Sequence, residues 1–192
     1  LRTEITALFH DPEVTAADVN TAINHSIRMA RERQLYHDGV DETIVWADDT
    51  WEYNIPTGFV SVHMLSHEDE QNDYTIYIPD HHWRIVPKST PVFFFHPDLV
   101  DWASTGKKIR VEGMKVQAEL SADADILEIS DIVIMEWALA QLHAGRGGTS
   151  SNLSTWHRQQ QLVHFNNAEN ILANNTFRIP VGTRYVPGRT LT

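Results

Sequence analysis

The chain has 192 residues, with 15 Lys and Arg against 26 Asp and Glu, and a formal net charge of −11. That length allows a substantial core, and the acidity argues against tight nucleic-acid binding, which needs a basic face to displace counterions. With no cysteine, disulfides, thiolate nucleophiles and Cys-ligated zinc are excluded.

In chain order, Leu1 to His10 read as a short helix with Ile5, Leu8 and Phe9 on one side, ended before Pro12. Thr15 is placed to cap a stronger helix, with Asp18 completing a capping-box variant. Val19, Ile23, Ile27, Ala30 and Leu35 give its apolar stripe, and Gly39 is expected to close it. Arg28, Arg31 and Arg33 fall in its last turns, where cations complement the helix dipole. They read as a solvated face before they read as a binding patch.

From Asp41 the pattern changes to short strands separated by turns. Thr43–Ala47, Trp51–Ile55, Phe59–Leu65, Tyr74–Ile78, Trp83–Val86, Val92–Phe95 and Lys108–Glu112 are the expected strands. Ser66 to Asp73 read as an exposed loop, and Pro79, Pro87, Pro91 and Pro97 suit strand starts and edges. The expectation is a small antiparallel β-sandwich or barrel over residues 40–120, inserted into a helical body made of residues 1–39 and 121–174.

The helix expected from Ser130 to Gly145 is the one on which the others pack. Ser130 suits its N-cap, Asp131 its first turn, and Gly145, Gly147 and Gly148 its end. Ile132 to Leu142 is apolar at nearly every position, so this helix is covered on most of its circumference, in a core or between subunits. It is too short, and too interrupted by Glu136 and Gln141, to span a membrane. Residues 146–154 read as a flexible Gly/Ser/Thr linker, and Ser154 as the cap of a helix from Thr155 to Ala173. Residues 175–192 read as an extended tail, with a disordered terminus as the alternative. Phe177 to Arg189 carry three arginines and no acid among bulky apolar residues, a composition suited to adding a strand to a partner's sheet.

No set of residues carries a recognisable catalytic or metal pattern. His63 and His67 fall across a strand end and a loop, adjacent His81 and His82 point two ways, and no His-Glu-x-x-His occurs. Gly145 to Ser150 lacks the P-loop lysine and follows a helix, and Asp48-Asp49 and Asp123/Asp125 sit in turns. The Phe93-Phe94-Phe95 triplet puts at least one ring on a strand's outer face, which suggests a subunit contact.

The order and spacing of these segments resemble the head-to-tail adaptor (head-completion, or connector) proteins of bacteriophages, which dock beneath the portal. An opening amphipathic helix, here Val19 to Ile27, is followed by Trp51-Glu-Tyr-Asn-Ile-Pro56 and the aromatic-valine strand Phe59-Val-Ser-Val62. Trp83-Arg-Ile85, Gly106-Lys-Lys-Ile-Arg-Val-Glu-Gly113 and Asp125-Ile-Leu-Glu128 before the alanine-rich helix complete the likeness. It covers most of the chain up to Gly145, and many such proteins end sooner.

The resemblance implies an α+β virion structural protein with no enzymatic activity, cofactor or metal. It would form a homo-oligomeric ring of about twelve subunits through its helices. Its expected partners are the portal above and the next tail or nozzle protein below, with DNA passing through and no membrane involved. It would be made in the host cytoplasm and reside at the virion's head–tail interface. The basic tail suggests portal contacts from Phe177, Arg178, Ile179, Val181, Arg184, Tyr185 and Arg189, and Trp137, Met135 and Phe94 are candidate subunit contacts. The charge of −11 suggests an acidic lumen that lets DNA slide. The alternatives are a β-sandwich ligand-binding module and a metal-dependent hydrolase using the His-rich β module.

Overall fold

A computed structural model describes residues 1–9, 11–97, 105–121, 125–147, 152–174 and 184–186. The protein is α+β and divides into two compact units. A helical unit comprises Leu1–Leu35 and Gln117–Arg178, and a β unit comprises Tyr36–Val116 and Ile179–Thr192.

Within the helical unit, α1 (Arg2–Phe9) and α2 (Ala16–Glu32) come first, and α3 (Asp131–Arg146) and α4 (Asn152–Asn174) after the β strands. Thr15 and Asp18 form the capping box: the Thr15 hydroxyl accepts from the Asp18 N–H while the Asp18 carboxylate accepts from the Thr15 N–H. The Thr15 hydroxyl also donates to Asp18 Oδ2 at 2.7 Å, and this bond first, then the one from the Thr15 N–H, holds the exposed Asp18 carboxyl below the usual carboxylate range.

Gly39 does not close α2. Gln34 takes the left-handed conformation at φ 58°, and two reversed bonds, Gln34 N–H to Arg31 O and Leu35 N–H to Ala30 O, satisfy the last carbonyls. This is a Schellman end with glutamine in the position glycine usually takes. Leu35 then packs back on the helical core, and residues 36–39, expected in the helix, begin the first strand.

Helix α3 packs against α1, α2 and α4. Its Val133, Ile134, Trp137, Ala138, Leu139 and Leu142 join Ile5, Val19, Ile23, Ile27 and Ala168 in one core. Ser130 sits at its N-cap without a side-chain cap bond; Asp131 Oδ1 instead accepts from the Ile132 N–H at 2.8 Å. The helix also runs through Gly145 to Arg146, and the Gly147 N–H bonds the His143 and Ala144 carbonyls. Cations tie the remaining parts of this unit together. Arg31 donates from Nε and Nη2 to the Gln117 carbonyl at 2.9 and 2.7 Å. Arg33 pairs with Glu169 and lies over the Trp137 and Phe165 rings, and Arg146 pairs with Asp11 and Glu13.

In the β unit two antiparallel sheets share one core. The first sheet has the order β1 (Tyr36–Val45), β7 (Lys108–Val116), β3 (Phe59–His67), β4 (Ile76–Tyr77), with β8 (Arg184–Tyr185) also on β3. The second has the order β2 (Glu52–Asn54), β6 (Val92–Phe95), β5 (Trp83–Val86). Among the described residues the sheets do not close into a barrel. Ile44, Trp46, Phe59, Leu65, Trp83, Phe93, Phe95 and Val111 fill the space they share. The close β3–β7 pairing explains Gly113: a Cβ there would fall 2.1 Å from the Ser61 carbonyl oxygen.

Candidate functional site

The tail residues proposed to grip a partner divide in two. Phe177, Arg178, Ile179, Val181 and Arg189 lie outside the described residues. Arg184 and Tyr185 form β8 on the chain's own sheet, Arg184 opposite Val62 and Tyr185 opposite Ser61. Val186 extends this contact, its N–H donating to the Val60 carbonyl at 2.8 Å, and its side chain is 2% exposed in the β core. Of the tail, Arg184–Tyr185 is extended, and the edge this strand augments is that of β3. Strand β3 shares this edge between β8 at Ser61–Val62 and β4 at Ser66–His67.

The three candidate subunit contacts differ in the surface they offer. Trp137 is 0% exposed, its ring enclosed by its own core and covered by the Arg33 guanidinium 5.3 Å from the ring centroid. It therefore has no face left for a neighbour, a correction to the expectation from sequence. An all-round apolar helix had two possible covers, and for Trp137 the cover is its own chain. Met135 is half-buried and lines a groove with Leu8 and Ile132. Phe94 is the outward ring of its triplet, half-buried while Phe93 and Phe95 are fully buried. The Arg84 guanidinium lies 4.9 Å from its centroid, a cation–π contact. His81, His82, Trp83 and His96 border the same recess, of about 440 Å³.

A cluster of ionisable groups between α3 and α4 was not anticipated. His143 Nδ1 lies 2.9 Å from His157 Nδ1, one ring donating and the other accepting. His164 stacks on His143 with centroids 5.4 Å apart, and its Nδ1 donates to Glu136 Oε2 at 2.7 Å. Asn167 donates to the same oxygen at 3.3 Å. Phe9 and Trp156 pack on His143, with centroids 4.7 and 5.3 Å from its ring. Burial first, then the neighbouring His164 and His157, push the His143 pKa down to about 4. The pairs 143–157 and 136–164 run in opposite senses, as an antiparallel helix hairpin requires. The available sequence signal was His157 and His164 seven apart, two turns on one helical face, after a histidine near the end of the preceding helix.

His63 and His67 both lie in β3, so the position expected for them across a strand end and loop is revised. Among the described residues no three His, Asp or Glu side chains are grouped to hold a metal ion, and no helix is long and apolar enough to cross a membrane. Neither a protein-family model nor a curated protein matches this sequence.

Proposed function

We propose that this protein is a phage head-to-tail adaptor that assembles as a ring of about twelve copies beneath the portal and extends the DNA channel. The observation that carries this reading is the order of its parts. Leu1–Leu35 and Gln117–Arg178 build one helical unit around the apolar helix α3, and the segment between them, together with the end of the chain, makes a β unit. The segments on which the resemblance rests include α2, β2, β3, β5 and β7, and Asp125–Glu128 lead into α3. The basic tail contributes the portal contact, and β8 holds part of that tail on an edge from which a partner's sheet could draw it. Deleting residues 174–192 should leave a folded protein that no longer joins heads; normal attachment would overturn the assignment to the tail. The acidic surface would let packaged DNA slide past without binding, and a basic channel with the acids on the ring's exterior would contradict this.

The recess around Phe94 favours a second reading, a β-sandwich module that binds a ligand through Arg84 and the aromatic and imidazole groups beside it. A monomer that stays indifferent to portal and loses ligand binding on Arg84→Ala would support that alternative.

A further inference from the structure

The helical unit carries two apolar surfaces that its own core leaves uncovered. One is a groove of about 460 Å³ between α1 and α3, lined by Ala7, Leu8, Ile132 and Met135, with Glu4 and Asp131 beside them. Leu8 is 55% exposed and Ile132 51%. The other is a ridge on α4, where Leu162 is 61% and Val163 47% exposed while Phe165 and Ala168 turn into the core. Arg158, one turn before Leu162, is also exposed. Single exposed aliphatic residues are ordinary on protein surfaces. Here they are contiguous on two surfaces of opposite shape, the concave one bordered by two exposed acids and the convex one by a cation.

We propose that the Leu162–Val163 ridge of one copy seats in the α1–α3 groove of the next, with Arg158 reaching Glu4 and Asp131. The ligand of this surface is thus a second copy of the chain. Because ridge and groove are different surfaces, the contact is heterologous: each added copy leaves one of each free, and addition continues until the rotation closes. A two-fold dimer would consume both at the first step. The inference deepens the ring reading and rests on it for closure, while the contact itself is testable apart from any portal.

The absence of cysteine makes the test direct, since disulfide formation requires Cβ atoms within about 4.5 Å of one another. The full chain carrying Leu8→Cys and Val163→Cys is oxidised at high concentration and run without reductant, and the unsubstituted protein is weighed by light scattering in parallel. The double variant should give a ladder of dimers, trimers and larger species. A mixture of the two single variants should give mixed dimers only, and each single variant alone should stay monomeric. Arg158→Glu should cut the yield several-fold, and adding Glu4→Lys should restore it. The absence of a ladder, or Leu8→Cys chains pairing with themselves as readily, would overturn the proposal. Ring-sized unsubstituted protein without a ladder would remove this surface and leave the ring reading standing. A ladder from protein that weighs as a monomer would support the contact and count against a ring that forms without portal.

Discussion

Glu136 on α3 accepts a hydrogen bond from His164 Nδ1 on α4 at 2.7 Å, and His164 in turn stacks on the buried His143. The packing of α4 on α3 therefore runs through imidazoles, one of which, His143, is only 4% exposed. His157 and His164 face it directly, Glu136 lies behind His164, and the rings of Phe9 and Trp156 pack on it.

His143 carries a pH dependence whose sign is fixed. Its pKa is pushed from 6.5 down to about 4 in the folded protein, so the unfolded chain binds this proton more readily. Stability from this group is complete above pH 6.5 and is lost as pH falls toward 4. The loss is about 2 kcal/mol by pH 5 and about 3 kcal/mol at its limit. Urea unfolding at pH 7.5, 6 and 5 should show that fall, and His143→Leu should flatten it. An equal fall in both proteins would contradict the assignment.

Gly39 and Gly113 are cross-strand partners in β1 and β7, yet alanine should be tolerated at one and not the other. At Gly113 the new methyl meets the Ser61 backbone oxygen at 2.1 Å, whereas at Gly39 it meets the flexible stem of Lys115. Gly113→Ala should cost about 2–3 kcal/mol, because β3 and β7 must separate. Gly39→Ala should cost less than about 1 kcal/mol, because Lys115 can turn aside. Denaturant midpoints of the two variants decide this, and equal losses would contradict the β3–β7 packing.

Gln117 is 2% exposed, and its side chain ties down the chain as it returns to the helical unit. Its amide nitrogen donates to the Ala118 and Ile126 carbonyls at 3.1 and 3.2 Å, and its oxygen accepts from the Glu128 N–H at 2.6 Å. Gln117→Leu keeps the approximate volume and strands those backbone groups, so a loss of at least about 2 kcal/mol is expected. Thermal unfolding measures it; a neutral effect would show that water replaces the side chain.

Local signals in the sequence gave the parts of the fold that local chemistry controls. The Thr15–Asp18 capping box needs residues only three apart, and an apolar run such as Ile132–Leu142 marks a covered helix wherever it packs. Less was legible where the decisive partner is distant. Nothing near Gln34 advertises a left-handed helix end, so the stop expected from sequence falls at Gly39, the nearest glycine. Gln117 matters because it bonds carbonyls and an N–H up to 11 residues away, and Trp137 because Arg33 reaches it from another helix. For the site, the alternation of the tail suggested an extended segment, while the strand receiving Arg184 and Tyr185 depends on which edge of β3 the rest of the sheet leaves open.

Removing residues 174–192 takes away β8 and the buried Val186, so a stability loss of about 1–2 kcal/mol is expected with the fold retained. Circular dichroism and urea unfolding separate that loss from misfolding. Collapse of the fold would mean that β8 is required for the β unit to form.

The most direct test of the adaptor assignment is the molar mass of the full chain, alone and mixed with its candidate portal, by light scattering on a sizing column. The account predicts a ring-sized complex with portal that is lost when residues 174–192 are deleted. A monomer that ignores the portal, with or without its tail, would contradict it.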